Sequence, residues 1–212
     1  MQSGQNLTIE LKDLGKKFGN EWIFKNLNYS ITQGQKLVIL GGNGSGKSTL
    51  LQVIAGYVLP NHGKVNYSSN GAAIENEMIK DHISLASPYL ELVEEFNLEE
   101  LIDHIALYKP FINKLTTSQI IEITELGSSK NKPIRTFSSG MKQRVKLVLA
   151  ILAGCEVLLL DEPISNLDKN AIAWYKNLIS KYASHKTIIV CSNSISDEFA
   201  FCDMEINLST LK

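Results

Sequence analysis

The chain of 212 residues contains 44% hydrophobic and 20% charged residues, which suits one α/β domain with a well-filled core. Its 21 basic and 22 acidic side chains give a formal net charge of −1, so overall charge offers no attraction to nucleic acid or to an anionic lipid surface. The three cysteines lack metal-binding or redox spacing, which is typical of a reducing compartment. The longest apolar region, residues 147–160, is interrupted by Glu156 and is too short to span a bilayer.

The first forty residues predict strands. Apolar and polar residues alternate over residues 7–12 and again over residues 27–31, a pattern that indicates two half-buried strands. Gln33 and Gly34 predict a turn. The apolar run Lys36–Leu40 follows and predicts a buried strand.

A glycine-rich segment follows that strand and reads Gly41-Gly42-Asn43-Gly44-Ser45-Gly46-Lys47-Ser48. It matches the phosphate-binding loop pattern of Gly, four residues and Gly-Lys-Ser, and residues 48–55 after it predict a helix that ends at Gly56. Glycines let backbone N–H groups surround a phosphate, and the helix N-terminus adds its positive dipole end. We expect Lys47 to reach the terminal phosphates of a nucleoside triphosphate, Ser48 to ligate magnesium, and Thr49 to complete the loop. The loop by itself is compatible with a kinase, a GTPase or a transport motor.

The middle of the chain predicts helices. Residues 60–63 indicate a turn and residues 64–67 a short strand, and helical spacing begins after Asn97, a suitable N-cap. Further helices are predicted at residues 118–126 and 140–153, on either side of a polar loop at residues 127–133. We interpret residues 88–150 as a helical insertion into the α/β core.

Two carboxylates follow a fully apolar strand. Residues 157–160 are apolar, and Asp161 and Glu162 come directly after them. In open α/β sheets, ligands bind at the carboxyl ends of the strands. We expect Asp161 to hold magnesium and Glu162 to polarise the attacking water; two acids in a surface loop are the alternative.

The last third alternates between helices and strands. A helix capped by Asp168 is predicted to run to about residue 183, and strands are predicted at residues 187–191 and 205–208. Strands that alternate with helices give a parallel sheet covered on both faces.

The segment Phe137-Ser138-Ser139-Gly140-Met141, which leads into a predicted helix, resembles the signature Leu-Ser-Gly-Gly-Gln of the ATP-binding cassette (ABC) ATPases. Ser138 and Gly140 keep the signature, and residues 142–145 are also similar to the family. The resemblance implies an α/β fold of the P-loop NTPase type, with a parallel core sheet, an N-terminal antiparallel β subdomain and an inserted helical subdomain. It further implies that residues 1–212 form one ATP-binding domain.

The same resemblance implies a function. The chain would be the ATP-binding and ATP-hydrolysing subunit of an ABC transporter, a short exporter-type cassette that uses ATP and Mg²⁺. Two copies would form a homodimer head to tail, with Ser138, Ser139 and Gly140 of one copy closing on the ATP of the other. Residues 165–168 resemble the D-loop, and Phe18 stands where the family stacks an aromatic on adenine; Trp22 is a rival, and an ordinary core role for Phe18 is the alternative.

The resemblance also implies a cellular location and partners for the protein. The cassette would work in the cytoplasm, at the inner face of the cell membrane, through an integral membrane subunit of the transporter. Nucleic acid is not an expected partner, since no basic patch is present.

Two positions depart from the family. Asn193 stands where the family has its switch histidine, and Ser87 is the nearest substitute for the Q-loop glutamine. An asparagine amide donates a hydrogen bond but carries no positive charge, so we expect slower turnover with Asn193 as a catalytic residue. These departures leave a second hypothesis open: a nucleotide-dependent binding or regulatory cassette with little ATP turnover.

Overall fold

The computed structural model describes residues 7–210, and its strands form two sheets. An antiparallel sheet has the strand order β2-β1-β4-β5, and a parallel sheet has the order β6-β7-β8-β3-β9. The strands are β1 (Leu7–Phe18), β2 (Glu21–Thr32), β3 (Lys36–Leu40), β4 (His62–Ser69), β5 (Ala72–Ile74), β6 (Ile83–Ala86), β7 (Val157–Asp161), β8 (Thr187–Ser192) and β9 (Met204–Asn207).

One α-helix follows the phosphate loop, and the others lie in the middle and the last third of the chain. Their bounds are α1 (Lys47–Ile54), α2 (Leu98–Ala106), α3 (Thr117–Thr124), α4 (Ser139–Leu152), α5 (Lys169–Tyr182) and α6 (Ser196–Phe199). Short 3₁₀ segments lie between them at Asn76–Asp81, Ile112–Lys114, Gly127–Ser129 and Ile134–Thr136, and another follows β9 at Leu208–Thr210.

Local capping explains where several helices begin. The Asn97 side chain accepts a hydrogen bond from the backbone amide of Glu100, and the backbone amide of Asn97 donates to the Glu100 side chain. The two bonds form a capping box before α2. Thr116 and Gln119 form the same box before α3. Asp168 caps α5 by accepting from the Ala171 amide at 2.8 Å. Each cap satisfies amides that have no partner inside the helix.

The parallel sheet separates two apolar clusters. Along β7, Val157 and Leu159 belong to the cluster under the antiparallel sheet, whereas Leu158 and Leu160 belong to the cluster under the helices. Successive side chains of a strand point to opposite faces, and all five residues of β7 are buried. The continuous apolar run in the sequence is therefore the mark of a strand that is covered on both faces.

The structure confirms the predicted α/β class, with a parallel core sheet and an antiparallel sheet that includes the N-terminal strands. Predicted helix bounds differ from the observed ones by one or two residues. The turn predicted at residues 60–63 is wrong at its end, because β4 already begins at His62 and pairs with Gly15 of β1. Gly63 allows this with a φ of 68°, and a Cβ there would lie 2.2 Å from the Lys12 carbonyl oxygen. Between residues 7 and 210, no helix is long and apolar enough to cross a membrane.

Candidate functional site

The phosphate loop connects the end of β3 to the start of α1. Gly44 and Gly46 have φ angles of 74° and 99°, a left-handed conformation that glycine adopts without strain. A Cβ on Gly46 would lie 2.1 Å from Ile23 Cγ2, so this glycine also permits close packing. A Cβ on Gly42 or Gly44 would meet no atom within 4 Å. The loop is therefore tightly packed at Gly46, and it has open space beside Gly42 and Gly44.

Lys47 lies folded over the loop. Its ammonium group donates to the carbonyl oxygens of Gly41 at 2.8 Å and Gly42 at 3.0 Å, and to Asn193 Oδ1 at 2.6 Å. The residue is only 5% exposed. A buried ammonium group needs hydrogen-bond partners, and here the partners hold it at the mouth of the loop.

Asn193 joins the loop to the acidic end of β7. Its side-chain Nδ2 donates to Glu162 Oε1 at 2.6 Å, while its Oδ1 accepts from Lys47. The two ends of the amide thus have opposite roles, which fixes its orientation. The result is a hydrogen-bonded relay from Lys47 through Asn193 to Glu162.

Asp161 contributes a buried carboxylate to the site. Its Oδ2 accepts from the Ser87 hydroxyl at 3.2 Å, and the Ser48 hydroxyl also donates to this carboxylate. Burial raises the pKa of the Asp161 carboxyl, and the hydrogen bonds from Ser48 and Ser87 lower it in part. Asp161 Oδ1 is buried and has no hydrogen-bond partner among residues 7–210. An unpartnered buried carboxylate oxygen beside a serine hydroxyl is a suitable ligand pair for a hard cation such as Mg²⁺.

The signature segment begins α4. Ser138 caps the helix by accepting from the Met141 amide at 3.2 Å. Gly140 packs so closely on Asn166 that a Cβ would lie 2.9 Å from the Asn166 carbonyl oxygen. Within residues 7–210, no hydrogen bond or ion pair connects Ser138, Ser139 or Gly140 with the relay of Lys47, Asn193 and Glu162.

Two aromatic side chains lie at the end of the first hairpin. Phe18 ends β1 and is 56% exposed, with the Lys16 ammonium 5.1 Å from its ring centroid. Trp22 is less exposed, at 37%, and its ring packs on Gly15, where a Cβ would lie 2.8 Å from Trp22 Cζ3. Phe18 therefore has the larger free surface for stacking.

Several polar residues near the site were missed by the sequence analysis. Glu198 and Ser192 are buried and hydrogen-bonded to each other, and Gln143 donates from its buried Nε2 to the Pro163 carbonyl oxygen at 2.8 Å. The sequence offered little signal for Glu198, because residues 192–198 are mostly polar and two adjacent acids there are typical of an exposed helix start.

A glycine loop between a parallel strand and a helix, with a lysine at its mouth and two carboxylates at the end of a neighbouring strand, defines the class of P-loop nucleotide-binding proteins. The family model described as ABC transporter matches residues 24–165, well over half of the chain. The chain therefore belongs to the ABC transporter family. The match includes the phosphate loop, the signature segment and both carboxylates, and it ends before Asn193.

Curated relatives carry matching names. The chain is 26% identical over 191 residues to an uncharacterized ABC transporter ATP-binding protein, YcbN, of Bacillus subtilis (strain 168), covering 89% of this chain and 62% of that protein. It is 30% identical over 201 residues to the teichoic acids export ATP-binding protein TagH of Bacillus cereus, covering 93% of this chain and 35% of that protein. The chain thus spans less than two thirds of the length of either relative.

The fold is also similar to that of solved cassettes. An ATP-binding cassette solved as a dimer in a post-hydrolysis state, with ADP and phosphate bound, superposes with a TM-score of 0.78 at 22% identity. The alignment covers 94% of this chain and 93% of that one. This similarity establishes the ABC ATPase fold for the chain.

Proposed function

We propose that the chain hydrolyses ATP as the nucleotide-binding subunit of an ABC transporter and acts as a single cassette with a helical insertion near residues 88–150. The observation that carries the proposal is the relay of Lys47, Asn193 and Glu162, which places an acceptor carboxylate and an amide beside a phosphate-binding loop. These are the groups that hydrolysis of a terminal phosphate needs: a cation for its charge and a carboxylate for the attacking water.

Each group has a role in this proposal. The loop residues 41–49 bind the phosphates through their amides, and Lys47 moves from the Gly41 and Gly42 carbonyls to the terminal phosphates. Glu162 orients and deprotonates the attacking water. Asn193 holds Glu162 in place and reaches the terminal phosphate with its amide. Phe18 stacks on adenine, a contact of about 1–3 kcal/mol in comparable sites.

Magnesium fits the acidic end of β7. Ser48 and Asp161 would hold the ion, which neutralises charge on the phosphates during the reaction. The unpartnered Asp161 Oδ1 supports this assignment. Between residues 7 and 210, no cluster of three or more His, Cys, Asp or Glu could hold a metal. This agrees with an ion that takes most of its ligands from phosphates and water.

A second copy of the chain would complete the site. Ser138 and the amides of Ser139 and Gly140 open a helix of 14 residues, and such an N-terminus binds anions. These groups have no hydrogen bond to the relay within the described part of one copy; in this proposal a partner copy brings them to the nucleotide. The dimeric state of the solved cassette supports this arrangement.

The transporter's membrane subunit would dock beside the segment that follows β6. An apolar cavity of about 270 Å³ lies there, lined in part by Leu90, Leu92, Val93, Leu101 and Leu149. Leu90 and Val93 are exposed on its rim, with Tyr89 next to them in the chain. An apolar helix of the membrane subunit, on the cytoplasmic side, is the proposed occupant. The cassette would then be cytoplasmic and peripheral to the membrane.

A cassette that binds nucleotide with little turnover is the second candidate, and Asn193 favours it. Histidine carries a charge that asparagine lacks, so Asn193 gives weaker stabilisation of negative charge on a terminal phosphate. No nucleic-acid role is proposed.

Steady-state ATPase measurements separate the two candidates. The wild type is compared with Glu162→Gln, which keeps the shape and the hydrogen bond to Asn193 but removes the base. Turnover of the wild type at least about tenfold above the variant, with equal ATP affinity, supports the ATPase. Equal rates with intact ATP binding support the binding cassette, and absence of ATP binding contradicts both.

A further inference from the structure

We propose that Glu198 is a positioning residue for hydrolysis: its buried carboxylate ties the loop that carries Asn193 to the segment that carries Glu162. The inference rests on the proposed ATPase function. Glu198 does not belong to the relay itself, and it acts through the two residues of the relay that it holds.

Glu198 lies inside the protein. It is 1% exposed, although it belongs to the short helix α6 near the end of the chain. The Tyr175 hydroxyl of α5 donates to its backbone carbonyl at 3.0 Å, and its own amide donates to the Ile195 carbonyl at 3.0 Å. A carboxyl group at such a position is costly unless it accepts hydrogen bonds, and this one has two acceptor contacts.

The first contact holds the loop of Asn193. Ser192, the last residue of β8, is fully buried and donates its hydroxyl to Glu198 Oε2. The same Ser192 oxygen accepts from the Ile195 amide at 3.2 Å. The two hydrogen bonds of Ser192 therefore close a turn that contains Asn193 and Ser194. Ser194 lies in the left-handed region, with a φ of 70°.

The second contact holds the segment after Glu162. The Ile164 backbone amide faces the Glu198 carboxylate and lowers the pKa of that group, and the preceding carbonyl, that of Pro163, accepts from Gln143 of α4. Glu162 itself has a φ of 44°. Such a backbone conformation costs about 1–3 kcal/mol for a non-glycine residue and persists only where the surroundings impose it. The Glu162 backbone itself is held by its amide bond to the Cys191 carbonyl and by the Ser165 amide, which donates to the Glu162 carbonyl, both at 3.0 Å; Glu198 and Gln143 act on the residues that follow.

The two contacts add to the backbone bond from the Glu162 amide to the Cys191 carbonyl at 3.0 Å in holding the two relay residues together. Glu162 and Asn193 are 31 positions apart in the chain, and their hydrogen bond of 2.6 Å requires that both backbones stay in register. Glu198 bonds to each backbone segment one or two residues away from the relay. Its loss therefore lets the Glu162 carboxylate leave the water position, while Lys47 and the phosphate loop remain as they are. The expected consequence is a lower kcat with an unchanged KM for ATP.

The main experiment compares Glu198→Leu, Glu198→Gln and the wild type in ATPase assays of the full chain. Leucine removes both acceptor contacts at similar volume, and we expect kcat to fall about tenfold or more with KM within about twofold. Glutamine keeps an acceptor oxygen and is expected to restore kcat to within about threefold of wild type. Asp197→Asn is the matched control, since this neighbouring carboxylate is exposed and pairs with Lys176; its kinetics should equal those of the wild type.

A second pair of variants separates positioning from general stability. Ser192→Ala removes the hydroxyl that donates to Glu198 and accepts from the Ile195 amide, and it should reproduce the loss in kcat; it replaces Glu198→Leu where that variant fails to fold. Tyr175→Phe removes the hydroxyl that anchors α6 and should lower stability without the selective loss in kcat. Equal kcat in the wild type and in folded Ser192→Ala or Glu198→Leu would overturn the proposal, as would equal losses of kcat in Ser192→Ala and Tyr175→Phe.

Amide hydrogen exchange gives a readout that does not need turnover. Peptides that cover residues 162–167 and 192–196 should exchange at least about tenfold faster in Glu198→Leu or Ser192→Ala than in the wild type and in Asp197→Asn. If the wild type itself does not hydrolyse ATP, the proposed function fails, and exchange still decides whether Glu198 ties the two segments. Unchanged exchange in both peptides would overturn the tie.

Discussion

Asn193 donates its side-chain amide to Glu162 at 2.6 Å, although the two residues belong to loops after different strands. The strands β7 and β8 are parallel neighbours, with Asp161 paired to Cys191. Their carboxyl ends therefore bring Glu162, the proposed catalytic base, and Asn193 to the same edge of the sheet.

Replacing Asn193 tests the relay directly. In Asn193→Ala, Glu162 loses its donor and Lys47 loses one acceptor, so we expect kcat to fall about 10- to 100-fold, as loss of a hydrogen bond to a charged group implies. ATP affinity should change less than kcat, because the variant loses one contact to the terminal phosphate while the loop amides and Lys47 remain. Steady-state kinetics and nucleotide binding measure the two quantities, and an Asn193→Ala enzyme at full speed would remove Asn193 from the mechanism.

Asn193→His tests what the asparagine has replaced. The imidazole titrates near a pH of about 6.5, whereas an amide does not titrate. We expect the ratio of kcat between Asn193→His and the wild type to change with pH between about 5.5 and 7.5. The same ratio for Asn193→Ala should not change with pH in this range. Identical pH profiles of wild type and Asn193→His would contradict this expectation.

Lys47→Ala should weaken ATP binding at least about 100-fold, because in the proposed complex the ammonium group donates more than one charge-assisted hydrogen bond to the phosphates. Calorimetric titration with ATP and Mg²⁺ measures the change. Lys12→Ala is the control, since Lys12 is exposed on β1 and pairs with Glu10. Unchanged affinity in Lys47→Ala would mean that residues 41–48 do not bind phosphates.

Glu162→Gln should accumulate as a dimer when ATP and Mg²⁺ are present. The variant binds ATP but does not convert it, so the sandwich closed by Ser138 and Gly140 of the second copy should persist. Size-exclusion chromatography with light scattering measures the mass, and the double variant Lys47→Ala/Glu162→Gln should remain monomeric. A monomer at saturating ATP would argue for a different cassette as the partner.

Stability should fall as pH rises through neutrality because of Glu198. Burial is the main cause that raises the pKa of this carboxyl from 4.5 to about 7; the Glu162 and Asp161 carboxylates act in the same direction, whereas hydrogen bonds from Ser192 and Ile164 oppose it. Between pH 4.5 and 7 the folded protein therefore holds a proton that the unfolded chain has lost. The free energy of unfolding then decreases with rising pH, by at most about 1.4 kcal/mol per pH unit for one proton.

Glu198→Gln isolates that contribution. Asp161 has a raised pKa as well, and burial lowers the pKa of His185, which gives the opposite slope. Both groups are present in the wild type and in the variant, so they cancel in the difference between the two curves. Urea unfolding at a series of pH values from about 5 to about 8 should give a difference that changes across this window, and a constant difference would mean that the pKa of Glu198 in the folded protein is not raised.

Much of the architecture could be predicted from local patterns. The apolar residues 157–160 form a strand buried on both faces, and Asn97 and Asp168 cap the helices that were expected to follow them. These features depend on residues that lie within a few positions of one another. The start of β4 at His62 was not predictable in the same way, because it depends on pairing with Gly15, far away in the chain.

The same distinction applies to the candidate site: some of its groups could be predicted from local sequence and others could not. The amino-acid sequence was enough to predict the phosphate loop, the acids after β7 and the signature segment, since each is a contiguous run that can be recognised from its spacing. It could not show that Asn193 lies between Lys47 and Glu162, or that a glutamate near the end of the chain reaches both Ser192 and Ile164. Those contacts exist because parallel pairing places β7, β8 and β3 side by side. Only the tertiary structure brings such distant residues within hydrogen-bonding distance and removes them from water.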